Sequence, residues 1–401
     1  MAMGTTKSEE QIDFRRNRQF WIMCFSTGLF FSSFNMIIPE LPSYLESMGG
    51  AEYKGLIISL FTLTAMLSRP ISGKLTDQIG RIPVMIFGAT VALITSAFYP
   101  FLHTVTGFLF LRLVHGMSTG FKPTATSAYA ADLVTPKQRG MAMGVLGVFT
   151  SSGMALGPTI GPVISELYGL DIMFYSSSAL AFLSIALLVG MKETLENPKR
   201  MSAGMFRLKV KDFFEPNVLP AAWSFLLSVF PFGVILTIIP DYSDYLGISN
   251  RGTFFSIFVG SSILVRLLSG RASDRFGRIP VIILSTLTLA VAMVMIAYAD
   301  SKNLLYAAAV VFGLSSGMSS PTFFAWTIDL SRPEFRGRAM STLFISLELG
   351  IGIGALSSGW IYANDPGNFK ITFLIAALSA LGSTAFLIIH QLKAKKNPDQ
   401  N

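Results

Sequence analysis

Twelve apolar blocks, each close to the ~20 residues that a helix needs to cross a bilayer core about 30 Å thick, follow one another along almost the whole chain. They fall at 19–39, 55–73, 82–102, 105–128, 139–163, 169–191, 217–240, 252–270, 279–299, 303–327, 337–360 and 368–390. Lipid offers the backbone no hydrogen-bond partners, so each block is expected to be a helix. Only 13% of the residues are charged, against about 25% in an ordinary soluble domain. The pattern predicts an all-α membrane protein with twelve transmembrane helices, embedded in the lipid bilayer.

The net charge of +8 would suggest nucleic acid as a partner in a soluble chain, but its distribution argues against that. With the N-terminus inside, 23 of the 31 Lys and Arg fall in cytoplasmic loops or tails. Counting residues in the first turn of a span with the side they face, Lys54, Arg251, Lys302 and Lys370 fall outside, and Arg69, Arg112, Lys122 and Arg266 fall within spans. Positively charged loops stay on the cytoplasmic side, so both termini are expected there. The first 18 residues are polar and the apolar segment after them is too long for a cleavable leader, so the first span is expected to be its own insertion signal. Cys24 is the only cysteine, which excludes an intrachain disulfide and a thiol metal cluster; no metal is expected.

The chain also repeats itself. Arg69-Pro-Ile-Ser-Gly-Lys-Leu-Thr-Asp-Gln-Ile-Gly-Arg-Ile-Pro-Val84 matches Arg266-Leu-Leu-Ser-Gly-Arg-Ala-Ser-Asp-Arg-Phe-Gly-Arg-Ile-Pro-Val281 at nine of sixteen positions, with a constant offset of 197. The same offset relates Asp132, Pro136, Arg139 and Gly140 to Asp329, Pro333, Arg336 and Gly337, and Gly153 and Gly157 to Gly350 and Gly354. The chain therefore divides into homologous six-helix halves, 1–191 and 217–401, joined by a charged cytoplasmic linker, 192–216. Six spans is an even number, so the halves insert in the same orientation, as two parallel repeats. Transporters of this design bind substrate near the midplane, between the halves.

At these residues the sequence resembles the major facilitator superfamily. Gly73-x-x-x-Asp77-x-x-Gly80-Arg81 and Gly270-x-x-x-Asp274-x-x-Gly277-Arg278 are similar to its signature loop between spans 2 and 3 and spans 8 and 9. Arg112-x-x-x-Gly116-x-x-x-Gly120 is similar to its fourth-helix motif. Gly153-x-x-x-Gly157-Pro158-x-x-Gly161-Pro162 resembles the span 5 motif of the twelve-span drug/proton antiporter branch, with Pro162 where Gly is usual. The resemblance implies the major facilitator fold and a multi-pass protein of the bacterial inner membrane. It also implies a cytoplasmic gate in which Asp77 meets the start of span 11 at Arg336 and Asp274 meets the start of span 5 at Arg139. Arg81 would pair with Asp132, and Arg278 with Asp329. Anions are stabilised at helix N-termini by free N–H groups and the helix dipole. The bland alternative is a surface ion-pair network, worth little per pair.

Small residues at every fourth position in span 5 let helix backbones approach, and proline removes a helical hydrogen bond. Gly153, Gly157, Pro158, Gly161 and Pro162 thus either bend the helix to seal an outer cavity or pack it closely.

Ionisable side chains inside a bilayer are costly and are functional candidates. Glu348 is the only acid deep within a span. Burial disfavours a charged carboxyl, which suits Glu348 to carry a coupling proton; it could also pair with a cationic substrate or with an arginine of another helix. The resemblance ties Arg112 to proton coupling. His115, one turn on, carries an imidazole that titrates near about 6.5 unperturbed and could relay protons or simply pack. Asn35, Phe34 and Lys122 are candidates for the substrate cavity, although Lys122 could snorkel to the surface. Arg69 and Arg266, matched across the repeat, are assigned to the gate's structure. Gly350-x-Gly352-x-Gly354 lies inside an apolar span with no preceding strand, which excludes a dinucleotide loop.

The expected function is secondary active transport: a proton-coupled exporter, an antiporter of small amphipathic molecules working by alternating access. The alternative is a proton-coupled nutrient importer of a sugar or organic acid. No nucleophile–base constellation is visible and no sizeable soluble domain is present, which argues against an enzyme and a receptor. No cofactor is expected, the proton gradient being the energy source, and the chain is expected to act as a monomer.

Overall fold

In the computed structural model the described residues are 14–50, 53, 56–202, 205, 214–248, 252–363 and 365–396. Lys54, Arg251 and the linker residues Arg207, Lys209 and Lys211 lie outside them. The described chain is helical, with no strand. Its long helices are α1 (Arg18–Ser47, with a 3-10 turn at Ile38–Glu40), α2 (Leu56–Gln78), α3 (Arg81–Phe98), α4 (Val105–Asp132), α5 (Arg139–Tyr168) and α6 (Leu170–Leu188). After the linker come α7 (Leu219–Tyr245), α8 (Thr253–Phe276), α9 (Arg278–Ala297), α10 (Lys302–Leu330), α11 (Arg336–Tyr362) and α12 (Phe369–Lys396).

Among the described residues, eleven of these helices are long and apolar enough to cross a membrane; α4 is the exception. It carries Arg112, His115 and Lys122 and a run of Ser and Thr, and most of its side chains are buried. A helix surrounded by other helices does not need an apolar surface for lipid, which explains the dilution of its hydrophobicity. Several helices run past the apolar blocks. α4 ends at Asp132 and α2 carries Asp77 in its last turn, so the motif charges sit on helix ends and not in loops.

Local sequence sets the boundaries. Asn17 caps α1 by accepting from the Gln19 N–H, and Thr104 caps α4 by accepting from Gly107. Between α2 and α3 the chain turns at Gly80, φ 118°, and between α8 and α9 at Gly277, φ 91°. Both backbones lie where an L side chain is strained and glycine is not, which accounts for a glycine at each copy of the signature loop.

Packing follows the offset. α1 packs on α5 and α6, α4 on α2 and α3, and α3 on α6; α7 packs on α11 and α12, α10 on α8 and α9, and α9 on α12. Between the halves, α2 lies against α11 and α5 against α8. One apolar core contains residues of both halves, among them Met85, Tyr129, Met143, Ile282, Trp326 and Met340. The remaining clusters belong to one half each: Val234 to Ala380 in one, and Met36 to Phe174 and Phe30 to Ala181 in the other. The halves thus share a core at the end that carries the signature loops and keep separate cores away from it.

Candidate functional site

The signature loops form two matched latches where the halves meet. At the first, both carboxylate oxygens of Asp77 accept backbone N–H groups at the start of α11, from Gly337 at 2.7 Å and Arg338 at 2.9 Å. At the second, Asp274 accepts from Gly140 and Met141 at the start of α5, both at 2.9 Å. The first-turn N–H groups of a helix have no internal partner, and the dipole favours an anion there. Each aspartate therefore satisfies two donors of the opposite half.

The arginines tie each latch to its neighbours. Arg81 Nε donates to Asp132 at 3.0 Å, Arg336 also donates to Asp132, and Arg81 donates to the Thr76 carbonyl at 2.7 Å. In the second copy Arg278 Nε donates to Asp329 at 2.8 Å and Arg139 donates to the same carboxylate at 2.7 Å. Arg81 and Arg278 each reach the other half through a carbonyl, of Pro333 at 3.4 Å and Pro136 at 3.2 Å. The glycines allow the approach: a Cβ added at Gly73 would lie 2.7 Å from Ser341 Cβ, and one at Gly270 would lie 2.5 Å from the Gly140 carbonyl oxygen.

Deeper in the interface, eleven residues or about 16 Å along α11, Arg69 Nη2 donates to Glu348 Oε1 at 3.2 Å. Their side chains are 3% and 15% exposed. Arg69 also donates to Thr124 Oγ1 at 3.0 Å, and its guanidinium lies 4.2 Å from the centre of the Phe344 ring. An acid and an arginine from different halves thus form a buried pair. Its attraction exists only while the carboxylate is ionised, so the arrangement can link a proton to the contact between halves.

The other intramembrane candidates lie apart from that pair. Arg112 Nε donates to the Ile57 carbonyl at 3.0 Å, and its guanidinium stacks on Phe61 at 4.7 Å. Tyr99 OH joins Arg112, at 3.3 Å, to His115 Nδ1, at 3.4 Å. Lys122 is 1% exposed, and its ammonium donates to Ser26 Oγ at 2.7 Å and Ser184 Oγ at 2.5 Å, between α1, α4 and α6. Asn35 donates to the Phe31 carbonyl at 2.8 Å, and Phe34 stacks on Phe61. The span 5 glycines press on α1: Cβ atoms at Gly153 and Gly157 would lie 2.8 Å from Phe31 Cβ and 2.6 Å from the Ser32 carbonyl oxygen. α5 continues as one helix through Pro158 and Pro162.

The family model of the Major Facilitator Superfamily matches residues 23–261 and, again, 222–401. The chain belongs to the Major Facilitator Superfamily. Its relatives within the superfamily include the multi-drug resistance efflux pump PmrA of Streptococcus pneumoniae serotype 4, 28% identical over 321 residues, 75% of this chain and 77% of that one. The quinolone resistance protein NorA of Staphylococcus aureus strain COL is 25% identical over 94% of this chain and 98% of its own length. Among solved structures, the human organic anion transporter MFSD10 superposes with a TM-score of 0.81 at 19% identity, over 92% of this chain and 99% of that one. The superfamily consists of transporters and not enzymes.

Three contributors to this facilitator's polar contacts carry no motif. Glu193, at the start of the linker, accepts the Arg81 and Ile82 N–H groups at 3.0 Å each and so caps α3. Thr194 donates to Asp132 at 2.6 Å. Tyr99, which holds Arg112 and His115 together, lies in a 3-10 turn with nothing in its sequence context to mark it. For Arg69 a signal was present: it is matched in the repeat at Arg266, while the acid it meets is not, since the residue 197 before Glu348 is Ser151.

Proposed function

We propose that this facilitator is a proton-coupled exporter of small amphipathic molecules, a monomer of the bacterial inner membrane with both termini in the cytoplasm. Its halves, 1–191 and 217–401, act as two parallel six-helix repeats joined by the linker 192–216, and α4 is the twelfth span. The proton gradient is its only energy source. The relatives named as efflux pumps support the direction of transport.

The observation that carries the reading is the Arg69–Glu348 pair across the interface. With Glu348 ionised, the pair and the two latches hold the halves together on the cytoplasmic side. A proton arriving at Glu348 removes the charge that holds Arg69, weakens that closure and lets the cavity open inward to take up substrate. Return of the proton to the cytoplasm restores the pair and drives the loaded protein outward. One proton crossing at 100 mV supplies about 2.3 kcal/mol. Arg112 and His115 act on the same proton path from the outer side, and Phe34, Asn35 and Lys122 contribute to the N-terminal wall of the cavity when it opens.

Direction is tested in membrane vesicles. Inside-out vesicles containing the chain are expected to accumulate cationic, neutral or anionic fluorescent amphiphiles when energised, and to lose them when the pH gradient is collapsed. Gradient-driven uptake of a sugar or organic acid by right-side-out vesicles, with no dye accumulation in inside-out vesicles, would favour the importer instead.

A further inference from the structure

Arg69 and Arg266 occupy the same place in the two repeats, but their surroundings differ at every side chain that holds the first. Arg69 is held by Thr124, Phe344 and Glu348. The positions related to these by the offset of 197 are Pro321, Gly147 and Ser151. These counterparts offer Arg266 no aromatic ring and no counter-ion. At Gly147 an added Cβ would lie 2.6 Å from Arg266 Nη1, so no side chain fits there. Among the described residues no ion pair or side-chain hydrogen bond reaches the Arg266 guanidinium, and its buried Nε has no partner.

Arg266 lines a cavity of about 200 Å³ with seven serines among its seventeen lining residues, one of them Ser151, the counterpart of Glu348. Ser262, one helical turn before Arg266 on α8, is 2% exposed, and its Oγ has no hydrogen-bond partner among the described residues. The lining is also aromatic: Phe258 lies one turn before Ser262 on the same face of α8 and 4.9 Å from Phe312, and Phe232 stacks on Phe312 at 6.2 Å. An uncompensated guanidinium in a low-dielectric site is costly unless an anion meets it. Guanidinium binds carboxylates and related oxyanions through paired N–H donors.

We propose that this cavity binds the anionic head of an amphipathic cargo, a carboxylate or sulfonate, against Arg266 and Ser262, with its apolar body on Phe232, Phe258 and Phe312. The duplicated chain has kept the internal counter-ion in one repeat for coupling and removed it in the other to leave room for the anion of a substrate. The statement that this anion is cargo rests on the transport reading above. The binding is measured without any gradient, so failure of one is distinguishable from failure of the other.

The test is equilibrium binding of 1-naphthaleneacetate and of its neutral amide to the purified full chain in low salt. The acid is expected to bind at least tenfold more tightly than the amide, with the preference lost in Arg266→Gln and partly kept in Arg266→Lys. Ser151→Glu restores the acid that the other repeat has; it is expected to raise Tm by pairing with Arg266 and to abolish the preference without removing the arginine. Absent or equal binding of acid and amide by the wild type, or an unchanged preference in Ser151→Glu, would overturn the proposal. Displacement of the acid by phosphatidylglycerol would assign the site to a lipid headgroup and overturn the cargo assignment.

Discussion

Arg69 on α2 and Glu348 on α11 are 279 residues apart in the chain and meet at 3.2 Å across the contact between its halves. The pair is buried, so each charge relies on the other. Removing one partner of such a pair costs about 3–5 kcal/mol, whereas replacing both by apolar residues is often neutral. Glu348→Ala is therefore expected to lower the Tm of the purified protein. Adding Arg69→Met to that variant should recover most of the loss without restoring transport. Additive losses in the two single variants would show that the residues are not energetically coupled.

Asp77 and Asp274 each accept two backbone donors from the facing half. Hydrogen bonds to a charged group are worth about 1.5–3 kcal/mol each, so Asp77→Asn should shift the resting population toward cytoplasmic opening by about tenfold or more. The reporter is Ser341→Cys in a Cys24→Ser background. Ser341 is buried behind the first latch and Cys24 is the only native thiol. Labelling by a cytoplasmic, membrane-impermeant maleimide is expected to accelerate in Asp77→Asn, and an unchanged rate would remove the latch role.

Glycines within the helices should divide by what surrounds them. At Gly157 a Cβ would lie 2.6 Å from the Ser32 carbonyl oxygen and 2.9 Å from the Met36 nitrogen, backbone atoms that cannot swing away. Gly157→Ala is expected to cost about 1–3 kcal/mol through overpacking. At Gly352 nothing lies within 4 Å of an added Cβ, and Gly352→Ala should be neutral or stabilising by up to about 1 kcal/mol, the difference in helix propensity. Thermal melts of the two variants compare the cases directly.

Tyr99 OH bridges Arg112 and His115. Tyr99→Phe keeps the ring and removes the bridge, at a cost of about 1.5–3 kcal/mol, since one of its hydrogen bonds comes from a guanidinium. If the trio serves the proton path, the pH dependence of exchange in Tyr99→Phe shifts along with this loss of stability. A shift in Tm alone would assign the trio to helix packing.

Much of this architecture was legible because it is written twice. Residues kept at an offset of 197 located both signature loops, and the resemblance to the superfamily implied which helix starts their aspartates meet. All twelve spans, 105–128 included, were legible from hydropathy; among the described residues α4 alone falls short as an apolar crossing helix, because its burial among other helices frees it from the apolar rule. The pairing of Glu348 was not legible: an arginine of another helix was one of its expected partners, but nothing in the sequence said which. Lys122 reads from sequence as a candidate for the cavity, but its partners Ser26 and Ser184 were not legible. Serines are too common in these helices to announce such a nest. Glu193 lies in the linker, outside the repeated sequence, so the duplication gives no hint of its cap on α3.

The most direct measurement uses proteoliposomes with an imposed pH gradient and a pH dye inside, challenged with amphipathic cations, neutral compounds, anions, sugars and organic acids. A substrate of the wild-type protein should dissipate the gradient on addition, and the same substrate should leave it intact with Glu348→Gln, which keeps the size and a hydrogen-bond acceptor but cannot carry the proton. An equal response from the variant and the wild type would contradict coupling through Glu348.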